Sequence, residues 1–298
     1  MLFEGTMNFT LILSAPFSLL LPSKSLLLDL FSSLYPFVFC SLASGSSGNS
    51  YFVGSGDEGV LIDAGISARR IVKSLAENGI SMAQVKAVLI THDHSDHIKG
   101  LPVLANKFRL PVLATAECLG GIASHYLTKE IDQELFQAIR PKQKIILAGL
   151  EINPFKVSHD GSGNVGYHLR NNQTSLTLAT DLGFLDEEVI FYLKKASAII
   201  LESNYDEEML EKGSYPYHLK QRIRSSTGHL SNADAANFLK KHFHQGIKNV
   251  FLCHLSQHNN LPELAHSSAL KALNGNGHKL PELIHVLPRS NATTLFHL

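Results

Sequence analysis

The sequence predicts an α/β fold, in the mixed α+β sense, with two mixed β-sheets covered by helices on their outer faces. Apolar, β-branched runs of strand length recur along the chain. Some are joined by short turns, as in hairpins, and others alternate with segments of helical period, a combination that calls for layered sheets and helices. The composition, 44% hydrophobic and 17% charged over 298 residues, is enough to fill a sizeable core in one large domain or two small ones.

Residues 38–42 read as a strand, Ala43-Ser44-Gly45-Ser46-Ser47-Gly48-Asn49-Ser50 as a tight loop, and 51–54 as the next strand. Residues 59–65 form a third strand that ends in a turn. Ser67 should cap a helix running to about Asn78, with Gly79 past its end. Val85-Lys86-Ala87-Val88-Leu89-Ile90-Thr91 reads as a buried strand, followed by a helix over 99–107, a short strand over 111–115 and a helix over 116–127. In the second half, 151–158, 166–171 and 175–180 read as strands, with Asn171-Asn172 in a hairpin turn. A helix over 186–195 and a buried strand over 197–202 follow. The segment 231–242 is a strongly periodic helix with Ala233, Ala236, Phe238 and Leu239 inward, and 248–253 is the last predicted strand.

The chemistry concentrates just after the fourth strand, in His92-Asp93-His94-Ser95-Asp96-His97. Imidazole and carboxylate groups packed this closely at a strand end can converge on a small volume. Imidazole suits zinc, iron or manganese, and a carboxylate can bridge two divalent ions and offset their charge. Downstream, His159, Asp181 and His254 each close or follow an apolar strand. A carboxylate buried at a strand end is costly unless cations pair with it, so a metal explains Asp181 better than a core does. His-rich surface turns and lone core histidines are the ordinary alternatives. The ordered set of groups argues against them.

This HxHxDH pattern with its downstream His, Asp and His resembles the metallo-β-lactamase fold superfamily. The resemblance implies a four-layer αββα sandwich with two divalent metal ions at one edge between the sheets. His92, His94 and His159 would hold the first ion, Asp96, His97 and His254 the second, and Asp181 would bridge them. Paired ions lower the pKa of a bridging water to give hydroxide, with Asp96 beside the nucleophile, and stabilise negative charge at the attacked centre. The β-lactamases proper carry a cysteine where Asp181 stands, so antibiotic hydrolysis is disfavoured. Zinc, manganese and iron all remain open.

Further motifs point from hydrolase to nuclease. Leu201-Glu202-Ser203-Asn204-Tyr205 and Thr227-Gly228-His229-Leu230-Ser231-Asn232-Ala233 resemble the elements of tRNase Z that assist departure of the leaving oxygen. A glutamate orienting a histidine is a sensible general acid, because the carboxylate raises imidazole basicity and fixes its tautomer; the alternative is that Glu202 pairs with a surface lysine and His229 caps a helix. Ser41-Leu42-Ala43-Ser44-Gly45-Ser46-Ser47-Gly48-Asn49-Ser50, Gly213-Ser214-Tyr215-Pro216-Tyr217-His218-Leu219-Lys220-Gln221-Arg222-Ile223 and Cys253-His254-Leu255-Ser256-Gln257-His258-Asn259-Asn260 resemble one bacterial branch, the YycJ/WalJ-like nucleases. That resemblance runs from about Val38 to Asn260. It implies a single-domain metal-dependent exonuclease acting on DNA from 5′ to 3′. Ser46, Ser47 and Asn49 could then offer donors to a phosphate, and Lys220, Arg222 and Arg224 form a basic patch near His229. Lys194-Lys195 and Lys240-Lys241 are ordinarily solvated helix faces, and Tyr215 and Tyr217 serve base stacking or core packing equally well.

Two other readings use the same ions: a glyoxalase-type thioester or lactone hydrolase, which should lack the Glu202/His229 pair, and an RNA-processing nuclease. The 22 residues from His159 to Asp181 leave little room for the long arm with which tRNase Z grips its substrate. The 73 from Asp181 to His254 are likewise short for the domain inserted in larger RNA-processing relatives.

Composition adds limits. Lys plus Arg equals Asp plus Glu at 26 each, so any polyanion site rests on a local patch and not on a global field. Cys40, Cys118 and Cys253 are odd in number and widely spaced, so no disulfide framework or CxxC zinc site follows and a reducing cytoplasm is expected. Residues 1–37 are apolar, with Glu4, Lys24 and Asp29 the charges before Phe39. No Lys or Arg precedes the first apolar run, and Pro16, Pro22 and Pro36 interrupt the segment. It is expected to be an extension outside a catalytic domain over 38–298, as an upstream translation start would produce; a cleaved or membrane-associated segment is the other reading. No membrane partner is expected for the catalytic domain.

Overall fold

The computed structural model describes residues 36–172, 174–274 and 284–298, so the predicted extension lies outside the described residues as far as residue 35. The first sheet contains β1 (Phe37–Ala43), β2 (Ser50–Ser55), β3 (Glu58–Ile62), β4 (Val85–Leu89), β5 (Val112–Thr115) and β6 (Phe136–Ile139) in sequence order, and β14 (Phe296–His297) lies outside β1. The second runs β13-β12-β11-β10-β9-β8-β7, from β13 (Ile284–Val286) through β12 (Asn249–Cys253), β11 (Ala198–Glu202), β10 (Ser175–Ala179), β9 (Val165–Arg170) and β8 (Leu150–Lys156) to β7 (Ile145–Leu147).

Each sheet starts antiparallel and turns parallel. β1–β3 pair antiparallel and β3–β6 parallel; β7–β10 pair antiparallel and β10–β13 parallel. Sequence dictates the switch. The β2–β3 register pairs Ser55 with Glu58, leaving a two-residue Gly56-Asp57 turn whose Gly56 has φ +64°, the left-handed conformation a tight hairpin needs. Parallel neighbours need long crossovers, and these are the helical segments.

Three apolar layers follow from strand alternation. Ala198 and Ile200 of β11, with Phe251 and Cys253 of β12, face the core between the sheets, where they meet Phe39, Tyr51, Ile62 and Leu89. Ile199, Leu201, Val250 and Leu252 face outward onto the helices Glu187–Lys195, Asn232–His242 and Pro262–Asn274. The outer face of the first sheet packs on Ala68–Glu77, Leu101–Phe108 and Ala116–Ser124 through Ile71, Leu104 and Ile122. Both faces of both sheets are therefore covered, which is the four-layer αββα sandwich.

Several local expectations are corrected. The helix expected over 99–107 begins earlier, as a turn over Ser95–Ile98, breaks at Lys99-Gly100, and resumes over Leu101–Phe108. The break brings the chain against the Ile66 carbonyl oxygen, which would lie 2.3 Å from a Cβ at position 100 and so requires Gly100. The helix expected over 116–127 stops at Ser124. In Asn232–His242 the buried set is Asn232, Ala235, Phe238 and Leu239, while Ala236 is half-buried and Ala233 faces solvent. Strands β6 and β7 and the helices Glu207–Lys212, Tyr217–Arg224 and Pro262–Asn274 have no counterpart in the sequence reading.

Candidate metal centre

The site grows from strand ends. Asp63 follows β3, His92 lies just past β4, Asp181 just past β10, and His254 follows β12. Asp63, Asp181 and His254 all adopt positive φ, at 60°, 56° and 54°. That conformation costs an L-residue about 1–2 kcal/mol and is tolerated best by Asn, Asp and His. Each strained residue turns its side chain across the strand ends, and three such turns at one edge mark a functional constraint.

All seven predicted metal-binding side chains converge. His92, His94 and His159 present ring nitrogens within 4.8 Å of one another. His97 Nε2 lies 3.5 Å from Asp96 Oδ2 and 3.3 Å from Asp181 Oδ2, and His254 Nε2 lies 3.9 Å from Asp96 Oδ2. Asp181 stands between the two groups: its Oδ1 is 3.6 Å from His159 Nε2, and its Oδ2 is 2.9 Å from His254 Nδ1.

The donor set fits a divalent cation. His159 Nδ1 donates to the Gly228 carbonyl at 2.9 Å, which leaves Nε2 as a lone pair facing the cluster. The Nε2 atoms of His92 and His159 are buried without a hydrogen-bond partner, an arrangement that otherwise carries an uncompensated desolvation cost. Burial, reinforced by the neighbouring His97, holds His92 well below the usual imidazole range, in the neutral form a metal requires. Although burial works against charge on His97, Asp63, Asp181 and Asp96 together push its pKa well above the usual range. A field that negative attracts a cation, and a buried carboxylate such as Asp181 is stable only beside one.

The residues that hold this cluster were missed in the sequence. Asp63 is fully buried, accepts His97 Nδ1–H at 2.8 Å, and accepts the Thr91 N–H at 2.8 Å. It fixes the His97 ring with Nε2 aimed at the cluster, the role of carboxylate partners behind metal-binding histidines. Its place at a strand end before Ala64-Gly65 was the available signal. Asn49, expected to meet substrate, is fully buried and turned onto the cluster-facing atoms instead: its Nδ2 lies 3.0 Å from His97 Nε2 and 3.3 Å from Asp96 Oδ2. Gly65 allows this packing, since an added Cβ would sit 1.6 Å from the Asp96 carbonyl oxygen. Asp63→Asn retains the shape and the tolerance of positive φ but loses the anion. It is expected to weaken metal affinity by about 10–100-fold, read by competition with a chromophoric chelator; unchanged affinity would contradict the role.

His229 Nδ1 donates to Glu202 Oε1 at 2.8 Å, and the other Glu202 oxygen accepts the Leu182 and Leu230 N–H groups. Glu202 is fully buried, whereas the His229 side chain is 19% exposed and lies 3.7 Å from Asp181 Oδ1. Burial opposes charge on His229, but Glu202, Asp181 and Asp96 together outweigh it and raise the pKa to about 9. His229 therefore carries a proton beside the cluster. The basic patch is largely paired within the chain. Lys220 donates to the Glu211 carbonyl and Arg224 pairs with Glu211. Arg222 alone reaches the site, held 2.6 Å from Asp160, whose other oxygen lies 3.4 Å from His94 Nε2 and from His159 Nε2. Ser46 and Ser47 are exposed on the loop that carries Asn49.

Fold and site define a metal-dependent hydrolase with a divalent-metal centre. The model of the β-lactamase superfamily domain matches residues 59–254. The exodeoxyribonuclease YycJ of Bacillus anthracis is 36% identical over 248 residues, 83% of this chain and 93% of that protein. The exodeoxyribonuclease WalJ of Streptococcus pneumoniae serotype 2 is 35% identical over 80% of this chain and 88% of that protein. The chain belongs to the β-lactamase superfamily and, within it, to the family of YycJ and WalJ. Among solved structures, Zn²⁺-bound PqqB from Methylobacterium extorquens superposes with a TM-score of 0.67 at 17% identity, over 86% of this chain and 99% of that one. The short form of human tRNase Z does so with 0.59 at 14% identity, over 86% and 98%. At these identities the superpositions speak for the fold alone.

Proposed function

We propose that the chain is a metal-dependent exodeoxyribonuclease that removes nucleotides from the 5′ end of DNA. The observation that carries this reading is the Glu202–His229 pair beside the seven-residue cluster. His92, His94 and His159 would hold one divalent ion, zinc or manganese, and Asp96, His97 and His254 a second, with Asp181 shared. Such ions supply an acidified water and a positive field for the phosphodiester. His229 gives its proton to the departing 3′ oxygen, and Glu202 fixes the tautomer and orientation of that ring. In this reading Arg222, braced by Asp160, and the hydroxyls of Ser46 and Ser47 would meet phosphate oxygens, whereas Lys220 turns its ammonium to Glu211.

The likeness to YycJ and WalJ over most of the chain supports DNA as substrate. In this reading residues 38–298 form the hydrolase domain and 1–37 an extension outside it, and the protein works in the cytoplasm. Cys40, Cys118 and Cys253 are buried free thiols, as suits a reducing compartment, and among the described residues no helix is long and apolar enough to cross a membrane. The test is a panel of 5′-labelled DNA, 3′-labelled DNA, RNA and an acyl-glutathione thioester with manganese or zinc. The 5′ label should appear at once as mononucleotide, while the 3′ label passes through a ladder of shortening strands. Hydrolysis of the thioester with intact DNA would overturn the reading.

A further inference from the structure

We propose that Tyr126, held flat against His125, whose ring is tied to the turn that follows His94, is a stacking platform for one nucleobase of the bound strand. The inference rests on the nuclease reading and adds to it a base-binding residue.

Tyr126 emerges where the helix Ala116–Ser124 ends. His125 is its extended C-cap, and the next side chain is 72% exposed, in a protein that buries most of its large apolar groups. The ring is nevertheless not loose. It stacks on the His125 imidazole with centroids 4.6 Å apart and an interplanar angle of 28°. That imidazole is clamped at both nitrogens. Nδ1 accepts the Leu127 N–H at 3.1 Å, so the proton sits on Nε2, which lies 3.2 Å from Ser95 Oγ and donates to it.

Ser95 stands between His94 and Asp96, so this hydrogen bond ties the aromatic pair to the turn that carries two of the proposed metal-binding groups. The same helix is locked to that turn a second time. Gly121 packs so closely on Asp93 that a Cβ would lie 1.9 Å from its carboxylate, while the other Asp93 oxygen accepts the Ser162 N–H at 2.9 Å. The platform therefore has a fixed position relative to the cluster, with one face covered by His125 and the other open.

An exposed aromatic face tied to a phosphodiester site suits a base. Every nucleobase offers a π-face, so stacking gives grip without sequence preference, as an exonuclease moving along a strand requires. A phosphate or an acyl group would have no use for it.

The experiment uses the metal-loaded full chain with a set of oligonucleotides in which one abasic residue is moved through the positions flanking the scissile phosphate. In the native protein one abasic position should lower kcat/KM by about 5- to 150-fold, the scale of a single base–aromatic stack. Tyr126→Ala should lower kcat/KM on the intact strand by a similar factor and be indifferent to the abasic residue at that position. Tyr126→Phe and Tyr126→Trp should keep the discrimination. Tyr126→Ala acting like the native protein on the intact strand, or losing equally on intact and abasic strands, would overturn the platform while leaving the nuclease reading in place. If the native protein cleaves none of the oligonucleotides with manganese or zinc, the nuclease reading itself fails and the platform with it.

Discussion

Asp181→Asn should yield a folded protein that has lost metal and whose phosphodiester cleavage is reduced by about 10³-fold or more, since charge stabilisation at a transferring phosphoryl group is among the largest single catalytic contributions. Asp181 lies within 4 Å of His97, His159 and His254, and although burial opposes its charge, His254 and His97 together hold its carboxyl well below the usual range. Its charge therefore belongs to the cluster and not to the core. Asparagine is the informative replacement because it accepts the left-handed backbone of this position, φ 56°, where alanine would add about 1–2 kcal/mol of strain. Asp96→Ala should behave alike. The Asp96 side chain is 26% exposed, so its loss should spare the fold. Elemental analysis and circular dichroism on the same samples separate loss of metal from loss of fold. Native metal content in Asp181→Asn would remove Asp181 from the centre.

His229→Ala is expected to slow cleavage of DNA by roughly 10²–10⁴-fold, the usual scale of general acid catalysis, with metal content intact. A nitrophenyl phosphodiester has a leaving group that needs no proton, so it should suffer much less. Glu202→Gln should give a milder form of the same selectivity, because it weakens the partner that orients the ring 2.8 Å away without removing the acid. The competing assignment is specific. His229 lies within donor distance of His159 and Asp181, and a histidine so placed can itself bind metal. In that case His229→Ala would strip metal or slow both substrates equally, and the general-acid role would be wrong while the hydrolase remained.

The layers of the fold and the convergence of seven side chains were legible because each depends on local signals. Strand alternation assigns residues to faces, as Ile199 and Ile200 show by packing on opposite sides of one strand. A strand also delivers whatever residue follows it to a predictable edge, which is how His92, Asp181 and His254 announce themselves. The elements missed have weaker signatures. β7 has three residues, Ile145-Ile146-Leu147, all apolar although the middle one is exposed, so no polar alternation in the sequence marks it as an edge strand. The interior of the long helix Pro262–Asn274 is broken by His266, Ser267 and Ser268, which blur its apolar period.

At the site, first contacts were legible and supporting contacts were not. Asp63 and His97 are far apart in sequence, and no spacing rule joins them. Asn49 sits in a loop whose composition resembles that of a phosphate-binding loop, yet its amide is turned inward because Gly65 lets the two backbones touch. Lys220 and Arg224 read as a basic patch in one dimension, whereas in three Glu211 of the preceding helix holds both, pairing its carboxylate with Arg224 and accepting from Lys220 at its backbone carbonyl.

The most direct test of the metal-dependent nuclease is a single titration. Protein stripped by chelator is reloaded with manganese or zinc in steps, and bound metal and release of the 5′-terminal nucleotide from DNA are measured on the same samples. No release is expected without metal, and activity should rise as the second ion per chain is bound. Undiminished cleavage by metal-free protein in excess chelator would contradict it.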